Sequence, residues 1–179
     1  YARNLDPNFL PRNGDAHLYM RDMTTGVITL ISTDSNGVIG NASIDTQGFD
    51  LSPDGTKVVF SSMATNMIAT DNTPAASDIY LKDLTTGAVT LVSSSSARVQ
   101  GNGNSVGTSV AFSPDGSKVA FISNSSNLVA GDTNNTDDVF VVDIASGAVD
   151  RVSGDSADVE GNDTCIGFAV FSPDGTKIV

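Results

Sequence analysis

The chain has 179 residues, the size of one domain, and carries 9 basic against 21 acidic side chains, a net charge of −12. That balance argues against a nucleic-acid binder, which needs clustered Lys and Arg, and against docking on an anionic membrane surface. At 39% apolar and 17% charged the sequence is too hydrophobic to be disordered, yet no apolar run approaches the roughly 18 residues of a membrane span. Glu160 is the only glutamate, so the remaining acids are all Asp, a residue of turns, caps and ion sites rather than helices. With 17 Gly and abundant Ser, Thr and Asn, the composition is all-β. Cys165, the one cysteine, can form no internal disulfide and has no C-x-x-C spacing for a zinc site.

In chain order, the sequence opens on Tyr1 rather than Met, as a mature product or a fragment does. Its first residues, Y-A-R-N-L at 1–5, read as the continuation of a strand like Val59-Phe60-Ser61. Next comes H-L-Y-M-R-D-M-T-T-G at 17–26, which recurs as D-I-Y-L-K-D-L-T-T-G at 78–87 and D-V-F-V-V-D-I-A-S-G at 138–147. V-x-G-N follows at 38–41, 99–102 and 159–162. S-P-D-G then stands at 52–55, 113–116 and 172–175, at spacings of 61 and 59 residues. Three strings on one period divide the chain into a half unit 1–45, full units 46–106 and 107–165, and a half unit 166–179.

Each full unit contains four strand-like runs, which in the unit 107–165 are 107–112, 118–124, 138–144 and 148–153. S-P-D-G closes the first hairpin: Pro presets φ, Asp bonds its own backbone and Gly takes the left-handed position. D-x-T-T-G or D-x-A-S-G closes the second. Alternation puts Tyr80 and Phe140 on the core face. Four antiparallel strands per period, stacked radially, predict a β-propeller; a solenoid of hairpins is the alternative.

S-P-D-G-[TS]-K-[VI]-[VA]-F followed by D-[IV]-[YF]-[LV]-x-D resembles the TolB-like, WD-repeat-like β-propellers of bacteria. N-L-V-A-G-D-T-N at 127–134 resembles a long-loop variety of that repeat in secreted proteins. The match weakens at the start, where N-L-D at 4–6 and a Pro-containing loop replace the D-T-N segment. The resemblance implies an extracytoplasmic bacterial protein with a protein partner. Propellers have about 4–8 blades, so the chain reads as part of a larger one, with two copies making six blades as the alternative.

Up-and-down strands place the tight turns on one face and the long loops, 33–45, 62–77, 94–106, 124–137 and 154–165, on the other. Asp132, Asp137, Asp155, Asp158, Glu160 and Asp163 then gather on one rim. The sharpest site candidate is calcium at Asp132, Asn134, Thr136 and Asp138, which keep the 1, 3, 5, 7 oxygen spacing of a calcium loop. It lacks the sixth-position Gly and the downstream Glu, and an Asx-turn ladder is the bland reading. In V-x-G-N the Gly is expected at positive φ and the Asn (Asn41, Asn102, Asn162) on loop backbone. Asp50, where the other units have Ala111 and Val170, either faces the central channel or caps a neighbouring amide. His17 replaces Asp78 and Asp138, and its pairing with Cys165 as a nucleophile would need a chance meeting across blades.

These features lead to a non-catalytic scaffold that recognises a protein, or a glycan, through its acidic long-loop face. The alternative is the propeller portion of a prolyl-oligopeptidase-like hydrolase whose catalytic domain lies elsewhere. A downstream G-x-S-x-G with Asp and His in the open reading frame would mark the enzyme.

Overall fold

The computed structural model describes residues 15–74, 76–155, 159–165 and 167–179, without the side chains of 47 and 106–109. The strand expected at 1–5 and the carboxylate of Asp158 lie outside these residues. Among them the chain is all-β: β1 (Tyr19–Arg21) and β2 (Ile28–Leu30) pair with each other. β3 (Ile44–Leu51), β4 (Lys57–Ser62), β5 (Asp78–Asp83) and β6 (Val89–Leu91) form one antiparallel sheet in that order. β7 (Ser105–Phe112), β8 (Lys118–Ser123), β9 (Asp138–Asp143) and β10 (Val149–Arg151) form a second. A last hairpin is closed by a bridge between Phe171 and Ile178. These sheets are propeller blades, each built from consecutive strands from inside to outside.

Strand limits differ from the sequence expectation in all four runs: β8 and β9 end at Ser123 and Asp143, one residue short of 124 and 144. β7 begins at Ser105 rather than 107, because a register shift between Val106 and Val110 lets pairing resume after an irregularity, as between Ile44 and Phe49 in β3. β10 spans only Val149–Arg151, short of 148–153. There the Ser153 hydroxyl accepts the Val139 N–H at 3.1 Å, so a side chain continues what the ladder leaves off.

Both tight turns have the expected chemistry. In S-P-D-G, the Gly55 N–H donates to Ser52 O (2.8 Å), the Ser52 hydroxyl to Asp54 Oδ1 (2.6 Å) and the Thr56 N–H to the same oxygen (3.0 Å). Gly55 has φ +70°, the left-handed region that a Cβ penalises. In the second hairpin, Asp83 Oδ1 accepts the Thr85 and Thr86 N–H groups at 2.9 and 2.7 Å.

Central strands are buried on both faces, which is why they read as apolar runs with little alternation. Val58, Phe60 and Tyr80 face the preceding unit and join Ile31, Leu18 and Met20 in one cluster. Val59, Ile79 and Leu81 face the following blade and join Val110, Phe112, Phe121 and Phe140 in another. Ring pairs Phe60–Tyr80 and Phe121–Phe140, with centroids 6.0 and 5.8 Å apart, occupy equivalent places in the two blades. Asp50 caps a neighbouring amide: its Oδ2 accepts the Phe112 N–H of the next blade's inner strand at 2.9 Å.

The loops do not all stay on one face. The loop after β6 turns back along the outer edge of the next blade, where Ser96 Oγ accepts the Val149 N–H (3.0 Å) and Arg98 reaches Ser146 O (3.5 Å) in the opposite hairpin. Ser35 does the same for the Val89 N–H at 2.8 Å. A three-residue outer strand leaves exposed donors, and the preceding loop folds down to satisfy them.

Candidate functional site

The long-loop rim is assembled from two recurring ties. At the start of β5 the buried Asp78 accepts the Ser93 hydroxyl at 2.6 Å, and the same oxygen of Ser93 accepts the Ile79 N–H at 3.1 Å. Asp138 and Ser153 repeat this at 2.5 Å. In the first unit His17 stands in for the aspartate: its Nδ1 lies 3.3 Å from Ser32 Oγ, which accepts the Leu18 N–H at 3.1 Å. Burial lowers the His17 pKa, with Asp15 opposing.

The second tie is an asparagine clasp between blades. Asn41 Oδ1 accepts the Thr65 N–H (2.9 Å), while the Asn41 N–H donates to Asn66 Oδ1 (2.8 Å) and Asn66 Nδ2 to Ile39 O (2.8 Å). Asn102 and Asn127 repeat it with Ser126 and Gln100. The expected role of Asn41 and Asn102 on loop backbone thus holds for both, with Asn66 and Asn127 as partners that the sequence reading passed over. The glycines beside them are a correction. Gly40, Gly101 and Gly161 are absent from the positive-φ positions, which fall instead at Gly37 and Arg98. Their requirement is closeness: a Cβ on Gly101 would lie 2.6 Å from Ser125 Oγ and 3.2 Å from Ser93 O.

Around Asp78 the loop 71–78 closes on one atom. Gln100 Nε2 lies 2.9 Å from Asp71 Oδ1, 2.7 Å from Thr73 Oγ1 and 2.7 Å from Asp78 Oδ2, and its Oε1 accepts the Asn72 N–H at 2.8 Å. Burial raises the Asp78 pKa against these hydrogen bonds. In the next unit Glu160 takes the place of Gln100. It still accepts the Thr133 N–H (2.9 Å) and the Thr133 hydroxyl, but it has no amide to donate. Arg151, at the position of Leu91, supplies the missing donor: its Nη1 is 3.0 Å from Glu160 and 4.0 Å from Asp132.

Of the calcium candidates, Asp132, Asn134 and Thr136 share this one loop, and Asp138 follows them as the first residue of β9. Asn134 Nδ2 donates to Asp138 Oδ2 (3.1 Å) and to Gly161 O (2.9 Å), and Asn134 Oδ1 accepts the Thr136 N–H at 2.9 Å, an Asx turn. Thr136 Oγ1 is buried without a partner. Burial raises the Asp132 pKa, with the Asp138 charge adding to it and Arg151 opposing; the hydrogen bonds from Thr133 hold Glu160 low. Among the described residues no three His, Cys, Asp or Glu side chains are grouped to hold a metal. Of the remaining rim acids, Asp155 Oδ1 accepts the Val159 N–H, Asp163 Oδ1 the Thr164 N–H, and Asp137 O the Cys165 N–H.

No family model matches the chain, and no curated protein does. Among solved structures it is similar to the tricorn protease, at 15% identity and a TM-score of 0.52, covering 89% of this chain and 12% of that one. It is also similar to an oligogalacturonate lyase from Vibrio parahaemolyticus, at 15% identity and a TM-score of 0.51, covering 90% and 34%. A protein assigned as TolB from Agrobacterium tumefaciens matches at 22% identity and a TM-score of 0.46, covering 75% and 40%. The chain therefore spans less than half the length of each. At these identities the likeness shows a fold, the β-propeller.

Proposed function

We propose that the chain is a recognition segment of a TolB-like bacterial propeller, outside the cytoplasm, which binds a protein partner through its acidic long-loop face. The supporting observation is how the rim's reactive-looking groups are used. Asp71, Asp78, Gln100, Asp138 and Glu160 are all turned onto neighbouring loop atoms. What remains for solvent is a stiff set of exposed polar side chains, including Asn72, Asn102, Thr133, Asn135 and Asp163. A surface ordered beforehand loses little entropy on binding, which suits recognition. The net charge of −12 favours a basic partner, protein before glycan. Calcium at Asp132, Asn134, Thr136 and Asp138 belongs to the same proposal: the carboxylates of Asp132 and Glu160 share one guanidinium while the charge of Asp138 also acts on Asp132, a surplus that a hard cation would offset.

A photoreactive side chain at Asn135, on the rim, is expected to give a discrete adduct in cells, and one at Pro114, in a tight turn, is not. Equal labelling from both positions, or hydrolysis by the full-length protein that needs a rim residue, would sink the proposal.

A further inference from the structure

Asn36-Gly37 and Asn102-Gly103 are two copies of one reactive dipeptide; a third, at 13–14, lies outside the described residues. Glycine has no Cβ to keep its amide nitrogen away from the carboxamide before it. The fold treats the two pairs oppositely. Asn102 is held at both ends of its amide: Oδ1 accepts the Ser126 N–H at 2.9 Å and Nδ2 donates to Ser126 Oγ at 3.1 Å. The Gly103 N–H donates to Ser125 Oγ at 3.0 Å, and a Cβ on Gly103 would run into the Asn124 side chain. Asn36 is exposed, and its Nδ2 reaches Asp34 Oδ2 at a long 3.4 Å. The Gly37 N–H donates to Asp34 O at 3.1 Å, and a Cβ on Gly37 would meet nothing within 4 Å. This exposure belongs to the position: the counterpart Ala97, between two described blades, is exposed as well.

We propose that Asn36 is a site of self-modification, deamidating in the folded chain while the clasp protects Asn102. The Gly37 nitrogen attacks Asn36 Cγ; the new N–Cγ bond forms as the Cγ–Nδ2 bond breaks, and the proton from the Gly37 amide leaves with Nδ2 as ammonia. Water then opens the resulting succinimide. Addition at Cγ gives aspartate, and addition at the main-chain carbonyl gives isoaspartate, whose backbone runs through the former side chain. Either product sets a second carboxylate beside Asp34, and isoaspartate also lengthens the main chain by one carbon. The place matters because this loop straps its unit to the outer edge of the next blade. Ser35 Oγ accepts the Val89 N–H at 2.8 Å, and Lys82 Nζ donates to Thr33 O and Asp34 O at 3.0 and 3.2 Å. Asp34 Oδ1 holds the tip by accepting the Asn36 and Val38 N–H groups at 2.8 and 2.7 Å, bonds that the lengthened chain would shift. The modification therefore loosens the strap.

Incubation of the chain at mildly alkaline pH, followed by peptide mapping with mass spectrometry, tests this. Acid is expected at Asn36 roughly tenfold faster than at Asn102, since better-made hydrogen bonds must open before Asn102 can react. The same incubation in urea should bring the two rates together. Gly37→Ala should slow conversion at Asn36, and Asn127→Ala, which removes a clasp partner of Asn102, should speed conversion there and leave Asn36 unchanged. Hydrogen exchange at the Val89 N–H should quicken in the aged chain and stay constant in aged Asn36→Gln. Equal rates at Asn36 and Asn102 in the folded chain would overturn the proposal. So would an Asn36 that stays intact where the urea-unfolded chain converts.

Discussion

Single residues on the rim separate two uses of glycine and two of a carboxamide. Gly101→Ala puts a methyl 2.6 Å from Ser125 Oγ and 3.2 Å from a backbone carbonyl, so a loss of about 2–3 kcal/mol is expected in urea denaturation. Gly37→Ala meets nothing within 4 Å and bears only the left-handed strain at φ +81°, about 1–2 kcal/mol. The reverse ranking would show that left-handed strain outweighs close packing in these loops. Gln100→Glu replaces an amide that serves Asp71, Thr73 and Asp78 with a group that repels two of them. A loss of about 2–3 kcal/mol is expected at neutral pH, shrinking in acid as the new carboxyl gains a proton to donate. Adding Leu91→Arg recreates the set found at Arg151 and Glu160 and should restore much of the loss; no recovery would mean that the two replacements arose independently.

At the scale of the element, the S-P-D-G turns are expected to contribute to the acid limb of stability, together with the second hairpin turns at Asp22, Asp83 and Asp143, which are lowered by the same kind of hydrogen bond. Hydrogen bonds from Ser and Thr hold Asp54, Asp115 and Asp174 at about 2, below the ordinary 3.8. A carboxylate whose pKa falls on folding stabilises above its unfolded value, and this is lost as pH falls from 3.8 toward 2. Asp78 and Asp132 have the opposite sign: raised by burial, they favour the fold at lower pH and lose that contribution as pH rises past 3.8. Asp54→Asn with Asp115→Asn should therefore flatten the descent of the melting temperature below pH 4, and an unchanged slope would place the acid limb elsewhere. These turns were legible because Pro, Asp and Gly act within four residues. The clasp and the Gln100 tie were not, since their partners lie 22–29 residues away, mostly in loops whose strings look like turn material. Arg151 could have been found only by setting the units side by side, where Leu91 and Gln100 change together to Arg151 and Glu160. The folded-back loop tip at Ser96 answers a donor on another strand, which periodicity does not reveal.

For the whole molecule, carboxylate crowding on one rim gives a test of the calcium proposal. Calcium at millimolar concentration should raise the melting temperature by mass action on the folded state, Asp132→Ala should abolish the rise, and Asp174→Ala should leave it intact. Magnesium should substitute poorly, because an irregular loop fits flexible coordination better than an octahedron. Equal shifts with calcium, magnesium and sodium chloride of matched ionic strength would mean screening alone. The asparagine clasp also bears on how the chain is made. Asn41 and Asn102 lie in the connection that leads into a blade, 25 residues before the asparagines they engage, so the receiving half of each clasp leaves the ribosome first. A nascent blade meets a partner that has already emerged, and each junction locks after a short further stretch of synthesis. Folding is thereby expected to keep pace with translation, blade after blade, instead of waiting for the last strand of the ring.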